Sequence, residues 1–384
     1  SKMKRGRGDR ETQRPSRRQV IKSAAAISTS PLSASLAQTG LPQWAAASEH
    51  DPLIDQPPAT NPLIREENAR PGARDWQLTR VRVDTRDGVR ASAIEGYVSK
   101  QSVAAGETIE IMVSTRPAME FVIEIFRTGY YQGCGARLVK TIGPLKGGEQ
   151  PVPEVGPKRI RQCRWKPSVT LTIPDDWPSG VYLGRLTTVS DRSGFGYWQN
   201  YVVFIVRDDR PADILLQCSD NTWQAYNQWP DGYSVYTHPK GNQGPWADVS
   251  FDRPYGMYPQ IFENPQTIGS GEWLCFEFPL AYWLERHGYD VSYCSNRDMI
   301  TPDRGLKCKA FISNGHDEYW DLRQYESVVE MRDQGVNLMF LSGNSVCWVS
   351  PLRSSSDGRA DRILFRGGPY GGQYKWAALR EREH

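Results

Sequence analysis

No stretch of this 384-residue sequence approaches the roughly 18 consecutive apolar residues that a membrane-spanning helix needs. No C-x-x-C pair is present among the seven cysteines, which argues against a zinc ribbon or a thioredoxin-type motif. Histidine is scarce, five residues with one of them terminal, so a histidine-rich zinc site has little to build on. A basic face is also missing. The formal net charge is +3, but residues 1–37 hold nine Lys/Arg against two acids, leaving 38 bases against 42 acids in the rest. Nucleic acid is therefore excluded as a partner class.

Gly (34), Pro (27), Trp (13) and Tyr (18) are plentiful, the usage of a loop-rich β or α/β chain long enough for two or three cores. The basic front end reads as an address. "SRRQVIK" (Ser16 to Lys22) leads into the small-residue run "SAAAISTSPLSASLAQ", the order of a twin-arginine export signal, with Ser35 and Ala37 before a cleavage point at Gln38. This predicts a signal over 1–37 and a periplasmic or secreted protein exported already folded. Residues 38–74, rich in Pro, Ala and charge without a period, read as a linker or extended arm. The seven cysteines cannot all pair internally, and Cys134 with Cys163 is the pairing open to a disulfide.

From 75 to 208 the pattern is β. "ETIEIMVST" alternates Ile109, Ile111 and Val113 with polar neighbours, and "EFVIEIFRTGYY" puts Phe121, Ile123 and Ile125 on one face. Strands of this length between turn residues predict an immunoglobulin-like β-sandwich. From 209 to 384 the wording changes. "ADILLQCS", "YDVSYCS", "KAFISNG" and "VNLMFLSGN" are near-continuous apolar runs. "LCFEFPLAYWLERHG" and "DLRQYESVVEMRDQG" have helical spacing. Phe276, Leu280, Trp283 and Leu284 form the expected stripe of the first helix. Leu322, Tyr325, Val328 and Val329 form that of the second, with Asp321 as N-cap and Gly335 as stop. The alternation predicts a doubly wound parallel sheet of the flavodoxin or class I glutamine amidotransferase kind.

Ligands of such sheets bind at the carboxyl ends of the strands. Three segments arrive there: "DNTWQAYNQWPDGYSVY" (Asp220 to Tyr236), "NGHDEYW" (Asn314 to Trp320) and "SGNSVCW" (Ser342 to Trp348). His316 and Glu318 stand two apart and face one side if the backbone is extended. An imidazole can act as base or metal ligand, and a carboxylate can be a hard oxygen ligand. The plain alternative is a hydrogen-bonded histidine beside a helix-capping acid. No companion histidine has ligand-like spacing apart from His238, so further ligands would be oxygens. Asp220, Tyr226, Asp231, Tyr233 and Tyr236 are the candidates, although tyrosines in a Trp-rich loop are more often packing. Cys347 and Ser345 lack the elbow and downstream histidine of a nucleophile.

Together "NTWQAYN", "GYSVY", "WLERHGYDVSY", "NGHDEYW" and "GVNLMFLSGNSVCW", with "VAAGETIEIMVST" and "FRTGYYQG" before them, resemble the large (beta) subunit of N,N-dimethylformamidase and its relatives, over roughly residues 90 to 380. The resemblance implies a mononuclear iron(III) held by Tyr226, Tyr236 and Glu318, with His316 as base or substrate-orienting group and Asn344 as a polar contact to the developing oxyanion. It implies hydrolysis of a C–N amide bond in a small or modified amide by metal-activated water. That amidase has a small partner subunit; nothing in this sequence points to one, and homo-oligomerisation stays open. Family members continue past the last residue here and draw an acidic catalytic residue from that later region, so a C-terminally truncated domain is expected. The alternative function is a non-catalytic secreted binding protein for a glycan or a protein, with a degenerate second domain.

Overall fold

The computed structural model describes residues 59–84, 89–189, 196–237, 247–257 and 267–369. The export signal over 1–37, most of the linker and His238 lie outside them. A short helix α1 (Leu63–Asn68) is followed by eight strands: β1 (Ile94–Val98), β2 (Ser102–Ala104), β3 (Thr108–Thr115), β4 (Glu120–Thr128), β5 (Ala136–Lys146), β6 (Val169–Thr172), β7 (Gly180–Thr188) and β8 (Gln199–Arg207). They make a three-stranded sheet, β1-β3-β6, and a five-stranded sheet, β2-β8-β7-β4-β5. The period-2 pattern decides what lies between the sheets. Ile109, Ile111, Val113, Phe121, Ile123 and Ile125 meet Val202, Phe204 and Val206 in one core.

The second part runs β9 (Ala212–Cys218), α2 (Asp220–Tyr226), β10 (Val249–Ser250), α3 (Phe278–Arg286), β11 (Val291–Ser295), β12 (Cys308–His316), β13 (Tyr319–Trp320), α4 (Leu322–Asp333) and β14 (Asn337–Gly343). Four short strands close it: β15 (Trp348–Val349), β16 (Leu352–Arg353), β17 (Ile363–Leu364) and β18 (Gly368–Pro369). The long strands form a parallel sheet in the order β11-β9-β12-β14.

Neither predicted fold class is met. An immunoglobulin-like sandwich leaves its outer faces to solvent. Here β8 is buried on both faces, because Tyr201, Val203 and Ile205, alternating with its inward residues, pack on Ile214, Leu216, Val291 and Tyr293 of the parallel sheet. The five-stranded sheet is thus a middle layer. A doubly wound sheet needs a helix for each crossover and helices on both faces. This one has α4 on one face, where Val328 and Met331 meet Leu215 and Phe311, but mainly β7 and β8 on the other. The β11-to-β12 crossover contains only single 3₁₀ turns at Arg297–Met299 and Gly305–Lys307. The described residues hold four α-helices and several small sheets, so the chain is mostly β.

Local expectations fare unevenly. Asp321 caps α4 by accepting from Arg323 N at 2.8 Å, and Gly335 (φ +90°) ends it in a Schellman turn, with Gly335 N donating to Arg332 O and Val336 N to Met331 O. Met331 takes the buried place expected of Val329. In α3 the expected stripe is displaced: Ala281, Leu284 and Glu285 are buried while Trp283 is 46% exposed. A π-turn at Trp273–Glu277 precedes the helix and rotates its later faces. Buried Glu285 meets buried Arg127 of β4 at 2.8 Å and ties α3 to the middle sheet. Cys134 and Cys163 are both free, since Cys163 is enclosed by Tyr97, Met112, Trp165 and Trp229 whereas Cys134 lies beside Gly72 and Trp76.

Candidate functional site

The three segments at the carboxyl ends of β9, β12 and β14 do converge. The first is a helix rather than a loop over its opening residues, and Tyr226 is the last residue of α2. The chain then returns in a turn where Ser234 Oγ accepts from Tyr236 N and Thr237 N, both at 3.1 Å, and Val235 N donates to Ala225 O. This sets the Tyr236 ring on the Tyr226 ring, centroids 4.8 Å apart.

At the end of β12 the chain passes Gly315 in the left-handed region (φ +78°), where a Cβ would sit 2.9 Å from Glu277 Cγ and 3.0 Å from Phe276 Cβ. Only glycine fits that bend. The following turn is anchored from below by Asp317, fully buried, whose carboxylate accepts from Asn296 Nδ2 (3.0 Å), Ser313 Oγ (2.8 Å) and Gln217 Nε2 (2.5 Å). With its backbone so held, Glu318 N donates to Thr222 Oγ1, and Trp348 N donates to Glu318 O where β13 and β15 pair.

The Glu318 carboxylate, 3% exposed, is the hub. Tyr226 OH donates to its Oε2 at 2.9 Å, and Tyr236 OH and Trp348 Nε1 both donate to its Oε1 at 2.9 Å. His316 Nε2 lies 3.2 Å from Oε2, and Asn344 Nδ2, on a residue with φ +48°, lies 3.4 Å from that same nitrogen. All five residues singled out in the sequence are thus in one place. Of the other oxygen candidates, Asp220 faces Asn296 N at 2.7 Å, Asp231 pairs with Arg161, and the Tyr233 ring lies under the Arg161 guanidinium. They do not join the cluster. Helix capping belongs to Asp321, not to Glu318.

Burial alone would push the Glu318 carboxyl up, but the hydrogen bonds from His316, Tyr236 and Tyr226 outweigh it and bring it below the usual glutamate value. Both phenols move the other way. Burial raises Tyr226, as do the neighbouring Tyr236 hydroxyl and the Glu318 charge; burial and that charge raise Tyr236. Burial and the Glu318 charge also raise the Cys347 thiol. Sequence reading missed Trp348, Thr222 and Tyr319, whose ring stands edge-on to both other tyrosines. Trp348 lies within a segment assigned to the strand ends, but nothing in its spacing marks its indole N–H as a partner of Glu318.

Among the described residues no group of three or more His, Cys, Asp or Glu side chains could hold a metal ion. The donors here are of another kind: one carboxylate, two phenols and one imidazole. Phenol and carboxylate oxygens 2.9 Å apart can share a hard cation on the order of 2 Å from each, and a cation reverses the repulsion that keeps both phenols protonated. The donor set therefore fits a hard trivalent ion.

An acid, an imidazole and two phenols are thus gathered at the carboxyl ends of parallel strands on a β-rich frame. The chain belongs to the family described as N,N-dimethylformamidase beta subunit-like, C-terminal, whose model matches residues 122–367, well over half of it. That membership points to an amidohydrolase. No curated protein matches the chain. A solved family 123 glycoside hydrolase from Clostridium perfringens, studied for glycolipid glycan hydrolysis, is similar at 7% identity over 67% of this chain and 72% of its own. Its TM-score of 0.15 is too low to say anything about this fold. No helix among the described residues is long and apolar enough to cross a membrane.

Proposed function

We propose that this protein is an exported amidohydrolase that cleaves the C–N bond of a small or modified amide, with Tyr226, Tyr236 and Glu318 holding a mononuclear iron(III). The observation that carries the reading is the convergence of two phenols, from one side of the fold, on the two oxygens of a single buried carboxylate from another. A ferric ion held there supplies Lewis acidity toward an amide carbonyl and toward water. Glu318 brings a full negative charge, lowered in pKa and oriented by Trp348. His316 takes up the proton of the attacking water, and its place beside Glu318 stabilises the imidazolium that results. Asn344, next to that nitrogen, directs its amide N–H at the oxygen that gains charge as the carbonyl becomes tetrahedral. A twin-arginine signal fits a protein that folds around its cofactor before export.

The test is metal analysis with spectroscopy on purified protein and its Glu318→Ala and His316→Ala variants. About one iron per chain and a visible phenolate-to-iron band are expected. Glu318→Ala loses both, while His316→Ala keeps the metal and loses turnover of simple N-alkyl amides. Protein that takes up no iron and shows no band overturns the reading. That outcome favours the non-catalytic binding protein.

A further inference from the structure

We propose that Arg366 is a positioning residue of the cluster, holding Tyr236 and Trp348 so that both aim at one oxygen of Glu318. Its guanidinium carbon lies 4.9 Å from the Tyr236 ring centroid and 4.6 Å from that of Trp348. These two side chains are the donors to Glu318 Oε1, each at 2.9 Å. One face of Tyr236 is taken by Tyr226 at 4.8 Å, and Tyr226 in turn stands 5.2 Å from the His316 ring. Tyr236 thus has both the Arg366 guanidinium and the Tyr226 ring against it, and Tyr226 has the His316 ring beside it. A planar cation spanning two aromatic faces restrains both rings at once, which an ammonium on a flexible stem does not.

The backbone supports the assignment. Gly367 N donates to Val349 O at 2.8 Å, and β18 pairs antiparallel with β15, matching Gly368 with Val349. Residue 366 is thereby carried to the flank of Trp348. A Cβ on Gly367 would come 2.8 Å from Val349 O, so the close approach that delivers Arg366 needs glycine. The inference rests on the proposed iron site for one arm of its test and stands without it for the other.

In the first arm, ferric nitrilotriacetate is titrated into the full chain and its Arg366→Lys and Arg366→Met variants, with the visible band recorded. Removing a cation from the face of a phenolate raises the energy of its donor electrons. Arg366→Met is therefore expected to move the band to longer wavelength, and the lost restraint on Tyr236 to weaken iron uptake about tenfold or more, where removal of charge alone would tighten it, with Arg366→Lys in between. A band and affinity unchanged in Arg366→Met, while wild type shows both, overturns the proposal and leaves the iron site standing. If wild type itself gives no band, the iron site falls and the second arm decides. A double-mutant cycle of Arg366→Met with Trp348→Phe is read by urea unfolding of metal-free protein. A coupling of about threefold or more in the unfolding constant supports positioning; strict additivity overturns it.

Discussion

Glu277 is buried beneath the bend that presents His316, and replacing it should change stability in a way that depends on pH. Its side chain is 1% exposed; Oε1 accepts from Trp223 Nε1 at 2.7 Å and from Ser219, while Oε2 has no hydrogen-bond partner among the described residues. Burial, only partly opposed by those donors, pushes the carboxyl from 4.5 up to about 8. A group raised on folding contributes its full stability below the unfolded value and loses it as pH rises through the folded one. Between roughly pH 4.5 and 8 the unfolded chain releases a proton that the folded chain keeps, a slope of up to about 1.4 kcal/mol per pH unit. The whole interval amounts to about 4 kcal/mol at most. In Glu277→Gln the amide oxygen keeps the acceptor role, and the NH₂ faces the same unpartnered space as a protonated hydroxyl. Urea unfolding at pH 5 should therefore find Glu277→Gln within about 1 kcal/mol of wild type. At pH 8 it should be more stable by about 2–4 kcal/mol. Asp220, likewise raised to about 8, tilts both proteins equally and cancels. An equal effect at both pH values, or a variant weaker at pH 8, would refute the reasoning, since it would mean that the carboxylate is ionised and held by Ser219 and Trp223.

Three further outcomes follow from the same geometry. Gly315→Ala forces a Cβ against Glu277 and Phe276 at positive φ; it should cost about 1–3 kcal/mol in unfolding free energy and lower turnover by displacing His316. Arg127→Met leaves Glu285 buried without its cation and should cost about 3–5 kcal/mol, while Arg127→Met with Glu285→Leu should recover most of that loss in denaturant midpoints. A reporter fused to residues 1–40 should leave the cytoplasm by the twin-arginine route, and changing both Arg17 and Arg18 to lysine should stop it; unchanged export of the double variant would rule the signal out.

Local pattern carried much of this structure. The alternation of Ile109, Ile111 and Val113 reports a face, because side chains of a strand point to opposite sides at every step. The caps of α4 are read equally directly, since a helix start lacks acceptors for its N–H groups and a left-handed stop favours glycine. His316 and Glu318 stood out because they stand two apart just after an apolar run.

Other features depend on partners that lie far along the chain. "VVFIV" in β8 is apolar at every step, which a sandwich strand would not need, and only the docking of the parallel sheet accounts for its outer face. "NLMFLSG" reads the same way, yet Met339, Phe340 and Leu341 of β14, the edge strand of its sheet, are 46%, 44% and 49% exposed. Apolarity records a tendency to be covered and does not say by what. So the sequence alone determined the longer alternating and apolar strands such as β3, β4, β9, β11, β12 and β14, where α4 begins and ends, and that an acid and an imidazole share a strand end. The tertiary structure decided the layer order, and it placed Tyr226 and Tyr236, 92 and 82 residues before Glu318, on its two oxygens. Periodicity reaches as far as one element; contact across such separations is settled only when whole faces are buried together.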